Sequence, residues 1–547
     1  MKHKNIARIN PRQASKTYMR FLLAVILIAA PSLAQDRYLK PSSATNDSVF
    51  LDLVQRASFD FFWQEANPGN GLIKDRSASG APCSIASVGF GLSSICVAID
   101  RGWISREAGR NRVLTTLKTF WEKPQGRDPQ GYIGYKGFFY HFLDMSTALR
   151  TWNSELSSID TALLLAGILD AKQYFSNPDP SENQLRALAD SIYYRVDWQF
   201  MRNFQPNVTL GWFPETGFIN AWWRGYNEAM IMCILGLGSP THPLPSSIWN
   251  AWTIGYSWQT HYGFSYVNFP PLFGHQYSHC WIDFRNIQDD YMRQRGIDYF
   301  ENSRRATLAA RQYCIVNPLR RVGYGPNVWG ITASDGPNGY AARGAPPAEN
   351  DDGTIAPTAA GGSMPFTPVE SLAALRYMYD TYRNQIWTKY GFRDAFNLTR
   401  NWWGPDVIGI DEGPIVMMIE NYRTQSIWKR FMQNPDIQRG LKAAGFTTIT
   451  NVKEKSDPAP QRFTLTQNYP NPFNPTTTIR FYLPQREHVV LEIFDVSGKE
   501  IARLVDEELE RGEHAASFDG RQKASGIYFY AISAGKFTQM RKAILLK

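Results

Sequence analysis

The chain reads as mainly α, an (α/α)6 toroid followed by a small all-β sandwich, and three observations predict this. Apolar runs of helical length recur at residues 84–99, 161–174, 229–237, 305–316, 369–379 and 414–422, several of them hydrophobic on nearly every side. Residues 108–120 and 182–194 are instead amphipathic and charged on one face. Enclosed helices alternating with amphipathic ones are what an inner and an outer ring require. Past residue 461 the period drops to two, with strands expected at 477–483, 489–494, 515–518 and 527–531 and turns at 495–498 and 519–520. No short repeat points to a solenoid.

At 547 residues there is length for two or three domains. The N-terminus carries Lys2, Lys4, Arg8, Arg12, Lys16 and Arg20 ahead of a ten-residue apolar run, 21–30, and Ser32-Leu33-Ala34 offers small residues for cleavage. This is an export-signal pattern over residues 1–34, too short in its apolar part to span a bilayer. Met19 begins a compact signal by itself. Helical patterning then occupies 46–450, the charged, Pro-containing NVKEKSDPAPQ (451–461) reads as a linker, and 462–547 forms the sandwich. Removing the six basic signal residues from the formal charge of +9 leaves about +3, with no Lys/Arg run suited to nucleic acid. The five cysteines (Cys83, Cys96, Cys233, Cys280, Cys314) lack CxxC spacing and zinc patterns, so buried thiols are expected rather than a disulfide or metal framework. Aromatic residues make up 14% of the chain, with 17 Trp and 27 Tyr, more than packing requires. Stacking surfaces, carbohydrate faces among them, are one use for the surplus.

The chemistry gathers around GFINAWWRGYNEAMIMCILGLGSPTHPL (217–244), where Trp222, Trp223 and Tyr226 precede Glu228 and an all-apolar helix. Two further apolar helices start the same way: SSID places Asp160 before 161–169, and GIDEGP places Asp411 and Glu412 before 415–419. Each carboxylate by itself is a helix cap or dipole partner. Converging at one mouth, the three would be a site. Loops with sugar-compatible groups flank them: His141, Trp152 and Glu155 before Asp160, and HQYSHCWIDFR (275–285), with His279, Asp283 and Arg285. His275 and His279 have a zinc-like i, i+4 spacing, but Gln276 stands where HExxH needs its glutamate. The loop 349–354 fails the EF-hand spacing.

Several segments resemble the bacterial glucoamylase-like domain that includes glycoside hydrolase family 144, whose members hydrolyse β-1,2-glucan. They are SIASVGFGLSSICVAIDRGWISREAGRNRV (84–113), FYHFLDMSTALRTWNSELSSIDTALLLAGIL (139–169), WWRGYNEAMIMCILGLGSPTHPL (222–244), HQYSHCWIDFR, WGITASDGPNGY (329–340), DGTIAPTAAGGSMPFTP (352–368) and GIDEGPIVMMIENYRT (409–424). The resemblance spans about 400 residues in order. It implies an (α/α)6 barrel, inversion at the anomeric carbon and no metal or other cofactor. By motif, Glu228 of YNEA corresponds to the general acid. Asp411 of GIDEGP is the first choice for the base, with Asp160 of SSIDTA as its rival. The family's motif often reads GIDQGP, so Glu412 adds a carboxylate here. FTLTQNYPNPFNPTTTIRF (463–481) and SGIYFYAI (525–532) resemble the C-terminal sorting domain of the type IX secretion system. This implies export through the periplasm to the surface or medium, with the secretion machinery as partner.

The expected activity is therefore an inverting endo-β-1,2-glucanase releasing β-1,2-gluco-oligosaccharides. Inversion needs an acid at the leaving oxygen and a base on the opposite face of the ring. Apolar surroundings should raise the pKa of Glu228 against the pull of the helix N-terminus. Asp411, in a Gly-flanked and more open loop, should stay ionised. The polysaccharide would meet Trp152, Trp222, Trp223, Tyr226, His141, Glu155, His279, Asp283, Arg285 and Glu412. Rival readings are a transglycosylase or another β-glucan hydrolase on this fold, a lyase using Tyr140 and His141, and a non-catalytic glycan-binding surface protein. The lyase would favour a basic cleft that the near-neutral mature chain gives no sign of.

Overall fold

Helices with no polar face must be enclosed, and the chain encloses them in a ring. The computed structural model describes residues 47–449, 463–465, 468, 471, 473, 475–535 and 537–545; the expected export signal and linker lie outside the described residues. The chain divides into two compact units, one reaching Phe446 without residues 286–288, the other comprising 286–288 and everything from Thr447 onward.

In the first unit the outer helices are α1 (Asp47–Gln64), α3 (Arg106–Glu122), α5 (Pro180–Tyr194), α7 (Ser247–Thr253), α9 (Tyr299–Val316) and α11 (Pro368–Ile386). They alternate along the chain with the inner helices α2 (Ile85–Asp100), α4 (Ser158–Tyr174), α6 (Met230–Gly238), α8 (Tyr277–Trp281), α10 (Pro357–Gly361) and α12 (Gly409–Arg423). Every residue of α6 is buried, as is α2 from Ile85 to Ala98, whereas α3 and α5 bury one face. The runs 305–316 and 369–379 belong to outer helices, because α9 and α11 also bury one face only. The five-residue inner helices α8 and α10 have no run long enough to announce them.

The ring closes through contacts of α2 with α4, α4 with α6, α10 with α12, and α12 with α2. Polar pins hold the remaining joints. Ser278 Oγ of α8 donates to the Glu228 carbonyl (3.0 Å) and accepts from the Ile231 amide of α6 (3.0 Å). Gln276 Nε2, at the start of α8, donates to the Ala359 carbonyl of α10 (2.8 Å). Helices α2 and α4 touch backbone to backbone: a Cβ added to Gly89 would lie 2.2 Å from the Leu163 carbonyl oxygen, and one on Gly167 2.0 Å from that of Gly89. Short antiparallel strands, Cys83–Ser84 with Phe142–Leu143 and Leu156–Ser157 with Gly211–Phe213, run directly into α2 and α4 and fix where those helices begin.

The second unit is an antiparallel sandwich of β1 (Thr464–Leu465), β2 (Thr476–Leu483), β3 (Glu487–Phe494), β4 (Glu500–Leu509), β5 (Gly512–Asp519), β6 (Gly526–Ala534) and β7 (Phe537–Leu545). Its sheets order as β1-β2-β5 and β4-β3-β6-β7 around Ile479, Phe481, Leu491, Ile493, Phe518, Tyr530 and Ile532. Strands β4 and β7, at the two edges of the larger sheet, carry too many charged or polar residues to stand out by hydrophobicity. All five cysteines are free and buried.

Gly89→Ala should lower stability by about 1–3 kcal/mol, the cost of overpacking a tight interface. Denaturant unfolding followed by far-UV circular dichroism reads this directly, and an unchanged midpoint would refute the close-approach argument.

Candidate active site

The N-terminal ends of α4, α6 and α12 carry the three carboxylates, and each ends in a different environment. Glu228 lies in the turn before α6, where Asn227 Oδ1 accepts the Ala229 amide (2.9 Å). Its Oε2 is enclosed and has no hydrogen-bond partner among the described residues. Burial pushes its pKa up to about 7; its own backbone amide opposes the shift and the charge of Asp160 adds to it. Desolvation therefore outweighs the helix terminus.

Asp160 stands in the first turn of α4, with Ser157 Oγ 2.5 Å from its Oδ2 and the Asp160 amide donating to the same hydroxyl (3.1 Å). His141 reaches toward it (Nε2 to Oδ2, 3.7 Å) while its Nδ1 bonds Glu155 (3.0 Å). These ligand-type atoms lie within 4.8 Å of one another. Although burial alone would lower the His141 pKa, Asp160 and then Glu155 raise it to about 9. At neutral pH the ring therefore holds protons on both nitrogens rather than offering a lone pair. An imidazolium between two carboxylates results. His141 also stacks on Phe142 (4.0 Å between ring centres), which meets Trp152 at 5.3 Å. Trp152 is 65% exposed and forms the outer end of an aromatic shelf leading to the imidazolium.

Asp411 departs from expectation. It sits in the first turn of α12, only 6% exposed, not in an open loop. Burial first, then the neighbouring Asp394 carboxylate, holds its pKa well above the usual range. Asp394, between two short strands, accepts the Asp335 amide at Oδ2 (2.8 Å) and is itself pushed up to about 7, chiefly by burial. Asp335 in turn accepts Arg76 Nη1 (2.8 Å), and Arg76 Nε donates to Asp75 (2.9 Å). Tyr277 of α8 donates to the Ile410 carbonyl beside Asp411 (3.3 Å) and the adjacent Ser278 to the Glu228 carbonyl (3.0 Å), so the start of α8 bridges the turns that carry the two carboxyl groups.

Other expected site residues lie elsewhere. Tyr226, 4% exposed, packs against Trp252, Tyr256, His275 and Tyr299 and bonds Ser303 (3.2 Å), so it is wall and not a sugar platform. His279 is buried among Phe284, Phe300 and Phe366 with Nε2 against Ser303 (3.1 Å), and burial drives it down to about 3, a neutral core histidine. Asp283 and Arg285 follow the C-terminal end of α8, paired with each other (2.7 Å) while Arg285 covers Trp428, and so do not join the carboxylates at the N-terminal ends. Glu412 turns behind the wall, beside Ser58 of α1 and Gly391, 1% exposed. Trp223 donates to Ser158 Oγ (2.9 Å) and Trp222 is 40% exposed. Sequence reading missed the contributions of Asp75, Arg76, Tyr277, Tyr340 and Asp394. Asp394, in GFRDAFN, carries no motif or periodicity that could have marked it.

A ring of inner helices with carboxyl groups at their N-terminal ends, one of them enclosed and protonatable near neutrality, has the groups that acid–base cleavage of an acetal requires. A family model described as "Putative glucoamylase" matches residues 220–435, and one for the secretion system C-terminal sorting domain matches 467–546. A crystal structure from Bacteroides uniformis, described in the same glucoamylase terms, is 37% identical and covers 74% of this chain and 99% of its own, with a TM-score of 0.69. The endo-β-1,2-glucanase of Chitinophaga pinensis, solved with sophorotriose and glucose, is 34% identical, with 74% and 99% covered and a TM-score of 0.68. The exo β-1,2-glucooligosaccharide sophorohydrolase (non-reducing end) of Parabacteroides distasonis is 33% identical over 436 residues, which are 72% of this chain but 58% of that protein's length. The chain belongs to the glucoamylase-like family of (α/α)6-barrel proteins. Its C-terminal sorting domain implies export to the cell surface or medium, and no helix among the described residues is long and apolar enough to cross a membrane.

The burial of Glu412 predicts a pH-dependent gain for Glu412→Gln. Its folded pKa is raised, so the wild type is least penalised below the unfolded value near 4.5 and loses stability as pH climbs toward the folded value. The variant should match wild type at pH 4 and exceed it by on the order of 1 kcal/mol at pH 8. Thermal melts across that range would show either this widening gap or, against the argument, a constant one.

Proposed function

We propose that this chain is an exported glycoside hydrolase that cuts β-1,2-glucan with inversion, Glu228 serving as general acid and Asp411 as base. The observation that carries the reading is Glu228, an enclosed carboxyl with Oε2 unpartnered among the described residues, held up to about 7 by burial and joined through the start of α8 to the turn that carries Asp411. A carboxylic acid that keeps its proton near neutrality can deliver it to a leaving glycosidic oxygen. Water activated on the opposite ring face then attacks the anomeric carbon. The β-1,2 linkage is taken from the Chitinophaga and Parabacteroides relatives, a β-1,2-glucanase and a β-1,2-glucooligosaccharide hydrolase by name.

Endo action is favoured because this chain spans 99% of the Chitinophaga endo-glucanase and only 58% of the Parabacteroides exo-enzyme. Asp160 is the less suited base, its Oδ2 already engaged by Ser157 and faced by the imidazolium of His141. In this reading Asp160, His141 and Glu155 hold sugar hydroxyls, with Trp152 and Tyr340 at the rim. Passage through the periplasm, with an N-terminal signal removed and the sorting domain recognised by the type IX machinery, completes the proposal.

Linear β-1,2-glucan incubated with the protein should yield short oligosaccharides whose new reducing ends are first seen as the α-anomer by proton NMR. Glu228→Gln should lower kcat by about 10²–10⁴-fold. Wild-type kcat should fall as pH rises through about 7, where Glu228 loses its proton. A β-anomer as first product, or an unaffected Glu228→Gln, would overturn the assignment.

A further inference from the structure

Asp394 and Asp411 are 2% and 6% exposed, and two carboxylates enclosed side by side cannot both be charged without a cation against each. The donors present are unevenly shared. Asp394 Oδ2 receives the Asp335 amide (2.8 Å), and Arg76 acts on Asp394 from the Asp335 side. Asp394 Oδ1 is enclosed and has no hydrogen-bond partner among the described residues, and the neighbouring Asp411 carboxyl group acts on Asp394 directly. A proton on Asp411 supplies the missing donor. The charges of Asp335, in the 334–343 loop, and of Glu412, turned to the other side of α12, act on Asp411, and Tyr277 of α8 donates to the adjoining Ile410 carbonyl (3.3 Å). Among these the carboxylates add negative charge and none is a cation.

The amide that singles out Asp394 is itself held in place. Arg343, 2% exposed, grips Asp352 through Nε and Nη2 (both 2.9 Å) and spreads its remaining donors over the carbonyls of Ser334 (2.6 Å), Asp335 (3.4 Å), Gly339 (3.3 Å) and Ala341 (3.4 Å). A guanidinium spread over four carbonyls fixes a loop that has no regular structure of its own. That loop delivers the Asp335 amide to Asp394 and Tyr340 to the rim.

We propose that Asp394 and Asp411 form one proton-sharing base, in which Asp411 touches the substrate side and Asp394, the anionic member, takes up the charge through it. The inference rests on the assignment of Asp411 as base. As the nucleophilic oxygen bonds to the anomeric carbon, its O–H bond breaks and the proton goes to the free oxygen of Asp411. The proton already on Asp411 passes to Asp394 Oδ1. Glu228 releases its proton to the departing oxygen as the glycosidic C–O bond breaks. The unit ends as two neutral carboxyl groups and Glu228 as a carboxylate; solvent then takes one proton from the pair and returns one to Glu228. Asp394 is thus a positioning residue acting through Asp411.

The test combines kinetics with a readout that needs no turnover, on the full chain. In protein carrying carboxyl-¹³C aspartate, infrared difference spectra at neutral pH between wild type and Asp394→Asn should show loss of a protonated-aspartate carbonyl band, and Asp411→Asn should remove the same band. On β-1,2-glucan, Asp394→Asn should lower kcat by about 100-fold or more with KM little changed. Asp394→Glu should recover part of that loss. A band that survives in both variants, or kcat near wild type in a folded Asp394→Asn, would overturn the proposal. If wild type fails to cut this glucan, the substrate reading falls while the infrared band still decides whether the proton is shared.

Discussion

The first turn of an α-helix leaves backbone amides unpaired, and six helices packed side by side gather those amides at common ends. In this barrel the inner helices approach so closely that α2 and α4 meet at Gly89 and Gly167 with no room for a side chain. Water is excluded from between them, and the loops that precede each helix must supply whatever satisfies its start. Carboxylates are natural there, since they answer the helix dipole. The same enclosure that draws them in also raises the cost of their charge. Everything chemical about the site follows from that conflict.

The conflict is resolved differently at each helix. At α4 the imidazolium of His141 sits between Asp160 and Glu155 and helps hold the Glu155 carboxyl below its usual range. At α6 no cation among the described residues is set against Glu228, and burial holds its pKa up to about 7. At α12 a second carboxylate arrives instead, and Asp394 and Asp411 are left to share. Arg76 stands between the first and third solutions, bonded to Asp75 on the His141 side and to Asp335 on the Asp394 side. Three carboxyl groups that look alike in sequence are thereby assigned different proton inventories by their neighbours.

Much of the scaffold was legible without coordinates. The all-round apolarity of residues 84–99 and 229–237 and the one-sided patterns of 108–120 and 182–194 separated inner from outer helices, because burial on one face or on all faces leaves its mark on composition. The change to period two marked the sandwich for the same reason. Where the pattern was short or mixed the reading failed: α8 and α10 have five residues each, and the edge strands β4 and β7 are polar. The site was legible only in part. SSID, YNEA and GIDEGP announced carboxylates at helix starts, but Glu412, one residue from Asp411, turns to the opposite side of α12 because adjacent residues on a helix do not share a face.

The sequence by itself determined a ring of helices, a sandwich after it, and acidic residues at the mouths of three inner helices, since each is a local matter of periodicity or capping. Only the tertiary structure decided which carboxyl groups are acids and which are anions. That choice depends on Asp394, His141, Arg76 and the Asp335 amide, which come from distant parts of the chain and act through space at low dielectric. No local pattern encodes a neighbour that arrives from 17 residues away in one case, as Asp394 does for Asp411, and from more than 250 in another, as Arg76 does for Asp335.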